Sequence, residues 1–182
     1  MAAIIRLDDE IVSDICLRAS QETGQVVQVA NYNSPGQVVV SGDNRALEVA
    51  MDMAQAAGAR RVVRLAVSIA AHSPLMAVIG DEFRQAVEAT PIQPPQVPVV
   101  ANITARPLNT VDDIHQEMVA QLTSSVRWVD SVKHMIAGGV TDFVEIGPKD
   151  VLTGLVRRIS KEVKAVACGT VEEVQLLVNG DA

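Results

Sequence analysis

The first third of the chain alternates between the two-residue period of a strand and the three-to-four-residue period of a helix. Residues 8–20 and 44–57 place apolar side chains at helical spacing, and turn-forming residues 33–36 predict a hairpin. The predicted strands cover residues 2–7, 26–32, 37–41 and 61–67. The resulting order, βαββαβ, is the split βαβ pattern, in which two helices cover one face of a four-stranded antiparallel sheet.

The remainder of the chain alternates helix and strand, as in a layered α/β sheet. A helix is predicted from residues 73–74, with a buried stripe of Leu75, Ile79, Phe83 and Val87. The Pro-rich stretch over 91–98 is predicted to be a linker, and residues 102–107 a polar loop. Later strands are predicted over 97–103, 142–146 and 163–167. Later helices are predicted from a capping box at Thr110 and over 125–137, 151–159 and 171–178. About three strands make an incomplete sheet with open apolar faces.

Composition and charge narrow the class of protein. The residues are 48% apolar but only 2% aromatic, which predicts a core of aliphatic side chains. A net charge of −7 argues against a nucleic-acid partner, because such proteins usually present a basic face. The basic clusters Arg60-Arg61 and Arg157-Arg158 are local exceptions that fit either a solvated face or a contact with an acidic partner or a phosphate.

The two cysteines, Cys16 and Cys168, make no disulfide framework, and inert packing is the favoured interpretation of both. The apolar run at the start is too short for a signal peptide, and no later stretch approaches a membrane span. We therefore expect a soluble, cytoplasmic protein without a membrane partner. No histidine or cysteine spacing predicts a metal site, and His115 and His134 are expected to be exposed.

The candidate chemistry lies at His72, where an apolar strand ends and a helix begins. An imidazole takes up and releases a proton near neutral pH, so this side chain is a candidate general base. Such a base serves a nucleophile on a tight strand-to-helix turn, and no Gly-x-Ser-x-Gly turn occurs in these 182 residues. By position alone, a histidine without chemistry at a helix start is the favoured interpretation.

Five segments in order resemble the malonyl-CoA:acyl carrier protein transacylase family. They read ANYNSPGQVV at residues 30–39, HSPLM at 72–76, VRW at 126–128, EIGP at 145–148 and VLTGL at 151–155. Each segment is weak alone, whereas their joint order and spacing are specific. The resemblance covers nearly the whole chain and corresponds to the C-terminal part of the family.

The resemblance implies a fold in two parts. Residues 1–67 correspond to a ferredoxin-like small subdomain, and residues 68–182 to the C-terminal part of an α/β hydrolase-like acyltransferase core. It also implies that the complete enzyme moves a malonyl group from coenzyme A to an active-site serine, and then to the phosphopantetheine thiol of acyl carrier protein. This reaction belongs to fatty acid or polyketide synthesis. No bound cofactor is expected, since malonyl-CoA is a substrate.

The resemblance also assigns roles to residues. His72 takes the position of the catalytic histidine, and a backbone carbonyl within Ser125, Val126 and Arg127 is expected to orient it. Asn31 and Asn33 border the cleft, where their amides hold the substrate or only form a turn. The four arginines of the basic clusters, Arg60, Arg61, Arg157 and Arg158, are candidates for docking the acidic carrier protein.

The nucleophile elbow and the malonate-binding arginine belong to the family's N-terminal half, which has no counterpart in this sequence. We therefore expect the isolated chain to be inactive, because its base has no serine to activate. Three interpretations compete. The chain is part of a transacylase, which we favour; or one chain of a naturally split enzyme, whose separate N-terminal half bears the serine; or a non-catalytic module that binds acyl carrier protein or acts as a scaffold.

Overall fold

The computed structural model describes residues 1–179 and divides into two units, Met1–Ser131 and Val132–Ala182. Helices and strands alternate in both, which confirms the predicted mixed α/β class. The assignment of residues 1–67 and 68–182 to two domains stays a prediction, and the last three residues of the second lie outside the described residues. Among the described residues, no helix has the length and apolar character needed to cross a membrane.

The first unit begins with six elements in the predicted order. They are β1 (Ala2–Ile5), α1 (Asp9–Thr23), β2 (Val27–Ser34), β3 (Gln37–Gly42), α2 (Asn44–Ala56) and β4 (Arg61–Arg64). The strands lie in the order β2-β3-β1-β4, and every neighbouring pair is antiparallel. The turn between β2 and β3 is shorter than predicted, since β2 continues through Ser34 and Gly36 turns the chain with a φ of 69°.

The core of this sheet lies between its strands and the two helices. Helix α1 starts at Asp8, whose carboxylate accepts a hydrogen bond from the Glu10 amide, and ends at Gly24 in the left-handed conformation. The buried side chains come from both helices and all but the last strand, and include Ile4, Val12, Val38, Val40 and Leu47. Because side chains alternate along a strand, Val27 and Val29 enter this core and Gln28 lies on the opposite face.

The rest of the first unit is less regular than the pattern predicted. A 3-10 turn (Pro74–Ile79) precedes α3 (Gly80–Ala89), the short strands β5 (Val99–Val100) and β6 (Pro107–Leu108) pair antiparallel, and α4 (Val111–Ala120) follows. Helix α5 (Trp128–Ala137) begins in this unit and ends in the second. The predicted single helix from residues 73–74 is therefore wrong, as is the long strand over 97–103. Apolar spacing does not distinguish a 3-10 turn from an α-helix, and Leu75 and Ile79 are exposed in that turn.

The second unit contains a parallel pair of strands joined through a helix. Its elements are β7 (Asp142–Ile146), α6 (Val151–Ile159), β8 (Lys164–Cys168) and α7 (Val171–Asn179). Val144 pairs with Val166, and both are exposed, as is Ile146 at 70%. Parallel sheets normally have both faces covered, so this pair has the open apolar face expected of a part-sheet.

Candidate functional site

His72 lies in the turn between β4 and the 3-10 turn, with a left-handed backbone φ of 57°. The fully buried Ser73 holds this turn: its Oγ donates to the Ala70 carbonyl at 2.7 Å. Its own carbonyl accepts from the Met76 amide at 3.0 Å. A left-handed conformation is uncommon for a residue with a side chain and is found where surrounding structure imposes it, often at functional sites.

The imidazole of His72 is held in one orientation by a backbone carbonyl. Its Nδ1 lies 2.8 Å from the carbonyl oxygen of Gln121. A carbonyl oxygen only accepts, so Nδ1 carries the proton and donates it to this bond. In the neutral ring, Nε2 is then the nitrogen that accepts a proton, and it has no hydrogen-bond partner among residues 1–179. The half-buried ring can therefore accept a proton at Nε2.

The Gln121 carbonyl is free for this contact because it lies at the end of α4. Helices leave their last carbonyls without intrahelical partners. The turn that follows uses the earlier ones: the Leu122 amide donates to Val119, and the Thr123 and Ser124 amides donate to Ala120.

The prediction that a carbonyl of Ser125, Val126 or Arg127 orients the imidazole is therefore wrong, because the Gln121 carbonyl does so. The Val126 carbonyl accepts from the Tyr32 amide at 2.9 Å, and the Arg127 carbonyl accepts from the Ser131 amide in the first turn of α5. The Ser125 hydroxyl donates to the Val29 carbonyl. These three residues join the chain to the edge of β2 and lead into α5. The imidazole instead contacts the C-terminal end of α4, which precedes them in sequence.

Two further side chains join this arrangement, and the sequence reasoning missed both. The Nε2 of Gln28 donates to the carbonyls of His72 and Thr123 at 2.7 and 2.9 Å. The Nδ2 of Asn102 donates to the side-chain oxygen of Gln121. The only sequence signal for Gln28 is a polar residue between Val27 and Val29, and nothing in the pattern connects Asn102 with position 121.

The two asparagines predicted for substrate binding both lie in β2. Asn31 forms an isolated parallel bridge with Val126, and Asn33 lies at an irregularity of the β2–β3 pairing. Both are half-buried, and within residues 1–179 neither side-chain amide makes a hydrogen bond. Their amides are therefore available for hydrogen bonds to a ligand. Substrate binding by Asn31 and Asn33 stays a prediction.

The four candidate docking arginines divide between the two units. Arg60 and Arg61 are exposed at the start of β4 and form no ion pair within the described part of the chain. Arg157 and Arg158 are exposed on α6, and the Arg157 guanidinium donates to the Ala165 carbonyl at 2.7 Å. Arg157 is therefore partly engaged in its own unit, whereas the first pair is available to a partner.

The remaining candidate nucleophiles and bases fit structural roles. Cys16 and Cys168 are free and buried, and burial raises the pKa of the Cys16 thiol to about 12. His134 is exposed as predicted, but His115 is half-buried, which corrects its prediction. The Glu145 carboxylate accepts the Thr153 amide at 2.7 Å and the Leu152 amide at 3.0 Å. The Thr153 amide, with that of Leu152, lowers its pKa, so Glu145 anchors the start of α6.

The family model described as acyl transferase domain matches residues 8–175. The malonyl CoA-acyl carrier protein transacylase of Bacillus subtilis (strain 168) is 37% identical over 178 residues, which are 98% of this chain and 56% of that protein. The protein of the same name from Staphylococcus aureus (strain COL) is 37% identical over 96% of this chain and 56% of its own length. The chain thus spans about half the length of the curated relatives it matches.

Solved structures agree. A malonyl-transacylase in complex with its type II polyketide synthase acyl carrier protein superimposes with a TM-score of 0.94 at 37% identity, over 98% of this chain and 57% of that one. An acyl carrier protein S-malonyltransferase from Vibrio cholerae O1 gives a TM-score of 0.92 at 38% identity, over 97% of this chain and 57% of that one. The predicted resemblance is confirmed.

Proposed function

Because the chain belongs to the acyl transferase domain family, we propose that it forms part of an enzyme that transfers a malonyl group between coenzyme A and acyl carrier protein. The observation that carries the proposal is the bond from His72 Nδ1 to the Gln121 carbonyl, which leaves Nε2 as the proton acceptor. The names of the relatives from Bacillus subtilis and Staphylococcus aureus support the choice of substrates.

In the proposed reaction, His72 Nε2 takes the proton of a serine hydroxyl as the oxygen attacks the malonyl thioester carbonyl. The coenzyme A thiolate leaves and receives that proton from the imidazolium, so a malonyl-serine ester remains. The thiol of acyl carrier protein then loses its proton to the same nitrogen and attacks the ester, and the proton returns to the serine oxygen. The Gln121 carbonyl keeps the same ring nitrogen in use through both halves.

These 182 residues contain no Gly-x-Ser-x-Gly turn, so in our proposal the serine is contributed by polypeptide outside them. The isolated chain should then form no acyl-enzyme. We also assign residues 1–67 to a ferredoxin-like subdomain, which the antiparallel order β2-β3-β1-β4 supports. The two free cysteines favour a reducing compartment, the cytoplasm.

The proposal gives the exposed arginines a docking role and the asparagine amides a substrate role. Arg60 and Arg61 would steer the acidic carrier protein, and their exposure without an ion pair in residues 1–179 supports this. Arg157 and Arg158 are weaker candidates, since Arg157 already donates to Ala165. The unbonded amides of Asn31 and Asn33 suit an oxygen-rich substrate such as a pantetheine arm.

Intact-mass measurement after incubation with malonyl-CoA tests the proposal. The chain is examined alone and mixed with a separately made serine-bearing half, taken from the Bacillus subtilis relative. We expect a malonyl adduct only in the mixture, on the added half. The adduct should be lost with His72→Ala and retained with His134→Ala, a matched control on an exposed histidine.

Two results would contradict the proposal. An adduct on this chain alone would place a nucleophile within these residues. If the mixture binds carrier protein but forms no adduct, whether it contains the unchanged chain or His72→Ala, the result would favour a binding module without chemistry. Charge reversal at Arg60 and Arg61 should slow carrier association at low salt, and an unchanged rate would remove the docking role.

A further inference from the structure

We propose that Gln28 is a positioning residue for His72. Its carboxamide ties the turn that carries His72 to the turn after α4, and so holds the imidazole Nδ1 against the Gln121 carbonyl. The functional consequence rests on the proposed role of His72 as a base. The hydrogen bonds of Gln28 and His72 involve only residues of the first unit, and they can be tested without any reaction.

The contacts of Gln28 define which end of its amide is used. Both partners, the carbonyls of His72 and Thr123, only accept hydrogen bonds, so the group facing them is the amino nitrogen. This nitrogen has two N–H groups, and each finds one carbonyl, at 2.7 and 2.9 Å. One side chain thereby joins segments that are 44 and 95 residues away from it in sequence.

Gln28 itself stands on a rigid support. Its neighbours Val27 and Val29 are buried in the core between the sheet and its helices, and its backbone pairs with Ser41 of β3. The strand fixes the point at which the Gln28 side chain leaves the sheet, because Cβ atoms point out of the pleat, and the two hydrogen bonds to carbonyls fix its amide. The two turns of the site are therefore placed relative to β2 and, through it, relative to each other.

The rest of the site offers little to replace this link. Within residues 1–179, the only direct hydrogen bond between segments 70–76 and 119–126 is the one from His72 Nδ1 to Gln121. His72 also has a left-handed backbone, a conformation that persists in a residue with a side chain only where the surrounding structure holds it. Without the Gln28 link, the hydrogen bond from His72 Nδ1 to the Gln121 carbonyl would be the one direct hydrogen bond left among the described residues to hold the His72 turn against the turn after α4.

The test uses this chain with 15N-labelled histidine, because NMR shifts of the two ring nitrogens report the tautomer. In the unchanged chain, His72 should show a proton on Nδ1. In Gln28→Met, which keeps the length of the side chain and removes both donors, the two nitrogen shifts should converge toward the mixture seen in an exposed histidine. Exchange of the Nδ1 proton with water should accelerate roughly fivefold or more, because that factor corresponds to the loss of about one hydrogen bond.

The control is Gln25→Met, the same substitution at an exposed glutamine near the start of β2. It should leave His72 unchanged, and the signals of His115 and His134 should not move in either variant. An unchanged His72 tautomer and exchange rate in folded Gln28→Met would overturn the proposal.

If Gln28→Met does not fold, Gln28→Asn replaces it, since an amide one methylene shorter cannot reach both carbonyls. It should also shift the tautomer, and the unchanged His72 signals would again overturn the proposal. Failure of acyl transfer in the mass experiment, with a shifted tautomer here, would instead refute the proposed function and leave the positioning role standing.

Discussion

Replacement of Gly42 by Ala should destabilise the sheet that supports the site. Gly42 ends β3 opposite the start of β2, and a Cβ there would collide with the Val26 carbonyl oxygen and lie 2.5 Å from the Val27 Cα. Real Cβ atoms essentially never approach another heavy atom within 3.0 Å. Because both obstacles are backbone, the two strands must separate by roughly 1 Å, which is too far for a side-chain rotation to absorb.

The magnitude follows from what that separation breaks. The Asp43 amide donates to the Val26 carbonyl at 2.7 Å, and the Asp43 carboxylate accepts the Val26 amide at 3.0 Å. Losing these two bonds costs about 1 kcal/mol each. Strain from overpacking adds roughly 1–3 kcal/mol. We therefore expect a loss of about 3–5 kcal/mol in the stability of this sheet.

Native-state hydrogen exchange is the appropriate assay, because a chain of two units need not unfold in one step. Protection of the buried Val38 and Val40 amides should fall about 10²- to 4 × 10³-fold in Gly42→Ala. The matched control is Gly80→Ala in the same unit, where a Cβ meets open space and the backbone is helical; its effect should stay within about 1 kcal/mol. Protection within tenfold of the unchanged chain in Gly42→Ala would refute the reasoning.

Three further outcomes are expected. Since burial raises the pKa of Cys16 to about 12, a thiol reagent at pH ~8 should label it at least ~10³-fold more slowly in the folded chain than in urea, and equal rates would contradict this. Because the pKa of Glu145 is lowered in the folded chain, the bond between its carboxylate and the Thr153 amide stabilises α6 at pH values above ~4.3, the pKa of glutamate in an unfolded chain. That stabilisation is lost as the pH falls through the lower pKa of the folded chain. The Thr153 amide should therefore titrate in NMR spectra with a midpoint below ~4.3, and Glu145→Gln should remove the transition; a midpoint at or above ~4.3 would be the wrong sign. Ala105→Gly should change the stability of the first unit by less than about 1 kcal/mol in hydrogen exchange, because relief of the left-handed φ of 54° offsets the lost burial of the Ala105 methyl group; a larger loss would show that this conformation is not strained.

Much of the fold was predictable because it depends on local periodicity. The alternation of apolar residues predicted βαββαβ, and the strands and helices occur in that order. The capping box at Thr110 was also predictable, since it needs only residues three positions apart. Periodicity failed at residues 73–79, where Leu75 and Ile79 have helical spacing but lie exposed in a 3-10 turn.

For the site, the sequence by itself determined the residue types: a histidine suited to proton transfer, set after a strand in a motif shared with a family of transacylases. Only the tertiary structure decided which carbonyl orients the histidine, because Gln121 lies 49 residues away and no local pattern connects the two. The same holds for Gln28, which bridges carbonyls at positions 72 and 123. Such bonds depend on where packing places the ends of helices and turns. Their partners therefore become definite only once the core between the sheet and its helices has formed.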